Sequence, residues 1–162
     1  MAQESEEKHA GMSESEMRDN LVRLVFEGDP NRLDRFCGEL IQALPPETAA
    51  VLRGSSITGC SYEGDPFDAA GPGTSDLDLT LVGGDVLDWF EPEGFYIPRA
   101  HSKPLSDKDP DISPRLVPLR QKLSAMVGRP VNIQGTRDWV MFVREHVMNQ
   151  PYLTLIGKLE PT

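Results

Sequence analysis

The chain reads as an α/β (α+β) domain: a small mixed sheet of about four to five strands, with helices packed mainly on one face. Three observations predict this. Amphipathic stretches with apolar residues at i, i+3, i+4 and i+7 alternate with short apolar runs of strand length bounded by Gly, Pro and Ser. The clearest helical stripe, Leu33, Phe36, Cys37, Leu40 and Ile41, should pack under the sheet. With 162 residues the chain suits one domain around one core.

In chain order, residues 1–13 are polar and rich in Glu and Ser, which predicts a disordered acidic tail with little to bury against the entropy of ordering. Residues 14–162 then form the single domain. A first helix starts at Ser13 or Ser15, carries Met17, Leu21, Leu24 and Val25 on one face, and stops at Gly28. Asp29-Pro30 starts the second as cap and first-turn proline, and Leu44-Pro45-Pro46 ends it. Two apolar runs, residues 49–52 and 77–82, are strands around a Gly/Ser/Pro-rich connection. Gly83-Gly84 then releases the chain into a short helical turn carrying Trp89.

Residues 91–114 hold prolines at 92, 98, 104, 110 and 114, so extended or looped backbone is expected, with Phe95-Tyr96-Ile97 as one short strand. Composition predicts that this segment and residues 62–73 are lids that order when ligand binds. His101 lies there with no triad partner at suitable spacing, and reads as a solvated or hydrogen-bonded residue. Ser113-Pro114 looks like another cap and first-turn proline, followed by Leu116, Leu119, Leu123, Met126 and Val127 at helical spacing to Gly128. Residues 131–134 form a strand. Gly135-Thr136 opens a last helix with Trp139, Val140, Phe142, Val143 and Val147, closed by Asn149-Gln150-Pro151. Residues 152–156 alternate enough for a last strand or a docking segment.

Asp and Glu number 26 against 16 Lys and Arg, and a net charge of −10 argues against a broad electrostatic grip on nucleic acid. Cys37 and Cys60 have neither the number nor the spacing of a disulfide framework or a zinc site, which favours a reducing compartment; both read as packing residues. No apolar run is long enough to span a membrane, and the N-terminus is charged where a secretory signal would be apolar. A cytoplasmic protein with no membrane partner is expected.

The chemistry concentrates in residues 50–84, AVLRGSSITGCSYEGDPFDAAGPGTSDLDLTLVGG. The first strand stops at Arg53-Gly54-Ser55-Ser56, where glycine lets backbone approach a ligand and amides and hydroxyls can receive phosphate oxygens. The second carries Asp76 and Asp78 at i, i+2, so both carboxylates project from one face while Leu77 and Leu79 point to the other. Two carboxylates on one face call for a cation between them. Hard divalent ions, Mg²⁺ or Mn²⁺, take one or two protein carboxylates plus substrate phosphates.

These residues resemble the DNA polymerase β-like nucleotidyltransferase superfamily, in particular its small single-domain members. The family's mark is an apolar strand ending in Gly-Ser or Gly-Gly, a spacer, and an apolar-flanked Asp-x-Asp; Gly54-Ser55 and Ser75-Asp76-Leu77-Asp78-Leu79 stand in those places. The resemblance implies a nucleotidyltransferase-like fold that moves a nucleoside monophosphate from an NTP to an acceptor, releasing pyrophosphate. It also implies that Asp76 and Asp78 are catalytic metal ligands and that Gly54 and Ser55 bind nucleotide. Lys103, Arg53, Arg115 and Arg120 are candidates to reach the triphosphate. The acceptor is a protein, an RNA end or a small molecule, and a protein partner could supply its pocket. This sequence departs from the pattern twice: its spacer is long, and where the family places a third acid on a later strand, it has Asn132, which can ligate through its carbonyl but cannot act as a base. Glu145 is the substitute acid to consider. The alternative is a degenerate, inactive nucleotide- or partner-binding module of the same fold, and beyond it an unrelated acidic α/β domain.

Overall fold

The structure, a computed structural model, describes residues 12–61, 63–144 and 150–158. Most of the expected tail, and Glu145, Val147 and Asn149, lie outside the described residues. Strands β1 (Ala49–Arg53), β2 (Leu77–Val82), β3 (Phe95–Ile97), β4 (His101–Ser102), β5 (Val131–Thr136) and β6 (Tyr152–Ile156) form one sheet in the order β3-β4-β5-β2-β1-β6. β2 runs parallel to β5; the other neighbouring pairs are antiparallel. Six strands exceed the four to five expected. The strand without a sequence signal is β4, whose two residues are polar and which is held by partners on both sides, Phe95 and Ile97 in β3 and Thr136 in β5.

Period-two alternation gives the sheet two unlike faces. Ala50, Leu52, Leu77, Leu79, Leu81, Val131, Ile133 and Leu153 join one core. Three helices cover it: α1 (Glu14–Val25) with Met17, Leu21 and Val25, α2 (Pro30–Ala43) with Leu33, Phe36 and Leu40, and, further along the chain, a helix over Val117–Val127 with Leu119, Leu123 and Val127. The other face has a smaller cluster of Ala49, Val51, Val82 and Phe142, with Tyr152 against it. Single-turn helices α3 (Ser55–Thr58) and α4 (Gly84–Leu87) follow β1 and β2; the Val117–Val127 helix is α5, and α6 (Trp139–Phe142) supplies Phe142.

The helix starts follow cap chemistry in two expected places and depart from it in two. The Glu16 N–H donates to Ser13 Oγ at 3.1 Å and the Asn31 N–H to Asp29 Oδ1 at 2.9 Å. Ser113 does not cap; its hydroxyl donates to the Trp89 carbonyl at 2.7 Å, and a 3₁₀ turn over Pro114–Leu116 precedes α5, with Pro118 in the first turn. Gly135-Thr136 does not open a helix, because pairing to β2 carries β5 through Thr136, and Asp138 caps α6 by accepting from the Met141 N–H at 2.9 Å. Ile41 leaves the core stripe and is 64% exposed, since eight residues at 100° each carry it well off the line of Leu33. Among the described residues no helix is long and apolar enough to cross a membrane.

Candidate functional site

Register places the site. Arg53 pairs with Tyr152 on one side and Asp78 on the other, and Asp78 pairs with Asn132. Residues opposite one another across strands point the same way, so Tyr152, Arg53, Asp78 and Asn132 make one row on the face away from α1, α2 and α5. Asp76, just before β2, converges on that row. The Asn132 amide, through Nδ2, donates to Asp76 Oδ2 at 3.1 Å and to Asp78 Oδ1 at 3.4 Å. The two aspartates therefore share a hydrogen-bond donor, and Asn132 faces the pair from the neighbouring strand β5.

Gly54 closes the other flank. Its backbone, φ 92° and ψ −163°, belongs to a region that side chains avoid, and a Cβ there would lie 3.5 Å from Asp78 Oδ2. The chain then turns at once into α3, where the Ile57 and Thr58 N–H groups donate to the Gly54 carbonyl at 3.2 and 3.3 Å. Gly54, Asp76, Asp78 and Asn132 are thus brought together, with Ser55 next in the chain.

Charge in this row is tuned by burial and neighbours. Close packing around its base pushes the Asp78 carboxyl above the usual carboxylate range even though the side chain reaches solvent; the Asn132 hydrogen bond and Arg53 pull it back, and Asp76 adds to the rise. Burial likewise lowers Arg53, opposed by the charge of Asp78. Arg53 Nε is buried without a hydrogen-bond partner among the described residues, and its charge acts on Asp78 through space. Of the other candidate cations, Arg115 lies over the Trp89 ring at 4.0 Å, and Arg120 is tied to the Val131 carbonyl at 2.8 Å and to Asp107 at 3.0 Å.

No local pattern in the sequence marks the long spacer as stapled beside the site. Asp68 makes a two-point ion pair with Arg129, at 2.7 and 3.0 Å, and accepts from the Ser75 N–H at 3.0 Å and the Gly73 N–H at 3.2 Å. Arg129 also donates to the Ser75 carbonyl at 3.0 Å and stacks on Phe67 at 4.4 Å. The residue immediately before Asp76 is therefore fixed. His101 is buried rather than solvated, with its Nε2 3.3 Å from Gln134 Nε2.

Two convergent carboxylates with an amide donor between them fit a hard divalent cation in that donor's place, with Gly54 leaving room beside Asp78 Oδ2. Among the described residues no three His, Cys, Asp or Glu side chains gather into a metal-binding group, so a third carboxylate is not supplied there. Compared with known proteins, the chain matches no family model, no curated protein and no solved structure.

Proposed function

We propose that the protein is a metal-dependent nucleotidyltransferase, moving a nucleoside monophosphate from an NTP to a hydroxyl or phosphate acceptor with release of pyrophosphate. One observation carries the reading: Asp76 and Asp78 converge on one donor, Asn132, beside the Gly54 turn, at the shared end of β1, β2 and β5. Phosphoryl transfer rests on positioning and charge neutralisation rather than on covalent chemistry by the protein. Asp76 and Asp78 would hold Mg²⁺ or Mn²⁺, which neutralises charge on the phosphates when bound. The Gly54 and Ser55 backbone would receive the β and γ phosphates, and Arg53 would add a fixed positive charge.

A second reading has its own observation. Asn132 donates to both aspartates and cannot serve as a base, which favours a degenerate module that binds nucleotide without turnover. Incubation with each labelled NTP, Mg²⁺ or Mn²⁺ and cell lysate separates the two. Label transferred to any fraction supports the enzyme; nucleotide affinity without transfer supports the module; neither overturns both. The expected setting is cytoplasmic, with the acceptor, or a protein partner that shapes its pocket, coming from outside this chain.

A further inference from the structure

We propose that the protein carries a second ligand site, for a small organic anion with an apolar, ring-sized body, at the end of the sheet opposite Asp76 and Asp78. A cavity of about 570 Å³ opens there, within the size range of small-molecule sites. Its apolar wall is Leu87, Phe90, Phe95 and Pro98, and two arginines, Arg99 and Arg137, share its lining. Phe90 and Phe95 lie 6.1 Å apart at 57°; Phe90, 6% exposed, backs the half-buried Phe95, whose ring is the kind of surface a flat apolar body packs against. Three segments of chain converge to build it: α4 and the residues after it, the turn between β3 and β4, and the first residue past β5.

The site is distinct from the aspartates. Asp78 pairs with Asn132 at the start of the parallel pair β2 and β5, and Val82 pairs with Thr136 at its end. Four residue steps along the strand separate the two levels, roughly 13 Å. Crevices beyond the carboxyl ends of parallel strands are a common place for ligands.

Charge selects the ligand. In a chain of net charge −10, two arginines meet at one apolar cavity. Arg137 Nε holds Asp138 at 3.0 Å, but the pair is open to solvent, 53% and 47% exposed, and exchanges readily for a better anion. Arg99 makes no hydrogen bond or ion pair among the described residues. Its backbone is also unusual. The Ala100 N–H donates to the Ile97 carbonyl at 3.0 Å, closing a turn in which Pro98 is second and Arg99 third, and Arg99 has φ +59°. That third position favours glycine or asparagine. A side chain at that position costs conformational energy, as it does at Glu27, Glu47 and Asp68, and at Arg99 the residue lines the cavity. Asp88, also in the lining, disfavours a polyanion, so a single carboxylate or sulfonate fits better than a triphosphate.

Amide spectra of the ¹⁵N-labelled protein, titrated with 2-naphthoate and separately with its neutral analogue 2-naphthamide, test the site. Naphthoate should shift Gly84, Leu87, Phe95, Arg99 and Arg137 saturably and leave Gly54 and Asp78 in place. Naphthamide should bind at least about tenfold more weakly, the worth of one good charge-assisted contact. Arg99→Gly should reduce naphthoate to the level of naphthamide while melting no lower than wild type, because glycine suits the left-handed position. Arg137→Gln should weaken naphthoate without abolishing it. Equal binding of the two probes, shifts scattered without saturation, or undiminished naphthoate affinity in both variants would overturn the proposal.

Discussion

Arg129 and Asp68 meet in a two-point ion pair, Nη1 to Oδ1 at 2.7 Å and Nη2 to Oδ2 at 3.0 Å, across 61 positions of sequence. The Arg129 side chain is only 7% exposed and that of Asp68 21%. Arg129's hydrogen bond, with backbone donors from Ser75 and Gly73, holds the Asp68 carboxyl down at about 2. A segment whose composition suggests a mobile lid is thus anchored at its centre, and Ser75 hands a fixed backbone to Asp76.

Asp68→Asn should therefore destabilise the protein by about 2–3 kcal/mol, because it leaves the buried Arg129 guanidinium without its counter-charge. Urea unfolding measures the loss. Hydrogen exchange should show faster opening at Gly73 and Ser75, whose N–H groups donate to Asp68. A change below about 0.5 kcal/mol, the scale of an ordinary surface substitution, would mean that the pair does not hold the loop.

The two aspartates respond to pH with opposite sign. Asp68 is depressed in the folded state from its ordinary 3.8 to about 2, so its stabilisation is complete above 3.8 and is lost as pH falls through about 2. Asp78 is raised, so the stability it contributes is present below its unfolded pKa and lost as pH rises through its folded one. Near neutral pH Asp78→Asn should melt higher than wild type, by about 1–2 °C once solvent exposure of the side chain is allowed for. That advantage should shrink on acidification, whereas the deficit of Asp68→Asn should shrink only near pH 2 to 4. An Asp78→Asn variant that melts lower at neutral pH would show that its charge supports Arg53 more than burial opposes it.

Ligand reverses the order. With Mn²⁺ and NTP at one hundred times Kd, wild type should gain about 2.7 kcal/mol by mass action, and Asp78→Asn should lose most of that gain. Thermal melts read this without knowledge of the acceptor. An unchanged wild-type melt would count against both the transferase and the nucleotide-binding module.

Local signals made the three long helices and β1, β2, β3 and β5 legible, because Leu33, Phe36 and Leu40 keep a helical period and Leu77, Leu79 and Leu81 a strand period, whereas residues 152–156 read equally as a strand or a docking segment and are strand β6. Tertiary pairing set what the sequence did not show. His101 and Ser102 become a strand only because β3 and β5 lie on either side, and Thr136 stays in β5 only because Val82 is beside it. The site was legible as far as Asp76, Asp78 and the Gly54 turn, since strand alternation fixes which way carboxylates point. Arg53 beside Asp78 depends on strand register and Arg129 on Asp68 depends on a contact 61 positions away, and neither leaves a local pattern.

Asn132→Asp tests what the asparagine contributes to the site. Its amide donates to Asp76 at 3.1 Å and Asp78 at 3.4 Å, the position that the proposed function gives to a cation. Exchanging it for a carboxylate removes both hydrogen bonds and sets a third negative charge in a row that holds one positive neighbour, Arg53. Because the group is near solvent, the loss in stability without metal should be modest, about 1–2 kcal/mol. Added Mn²⁺ should restore it, since three carboxylates hold a divalent ion better than two carboxylates and a neutral amide oxygen. Affinity for Mn²⁺ should rise at least tenfold, about 1.4 kcal/mol, read by calorimetry and by the metal-dependent rise in melting temperature. If Asn132→Asp binds Mn²⁺ no better than wild type, the aspartates are not arranged for a cation, and their convergence on Asn132 is a structural hydrogen-bond cluster.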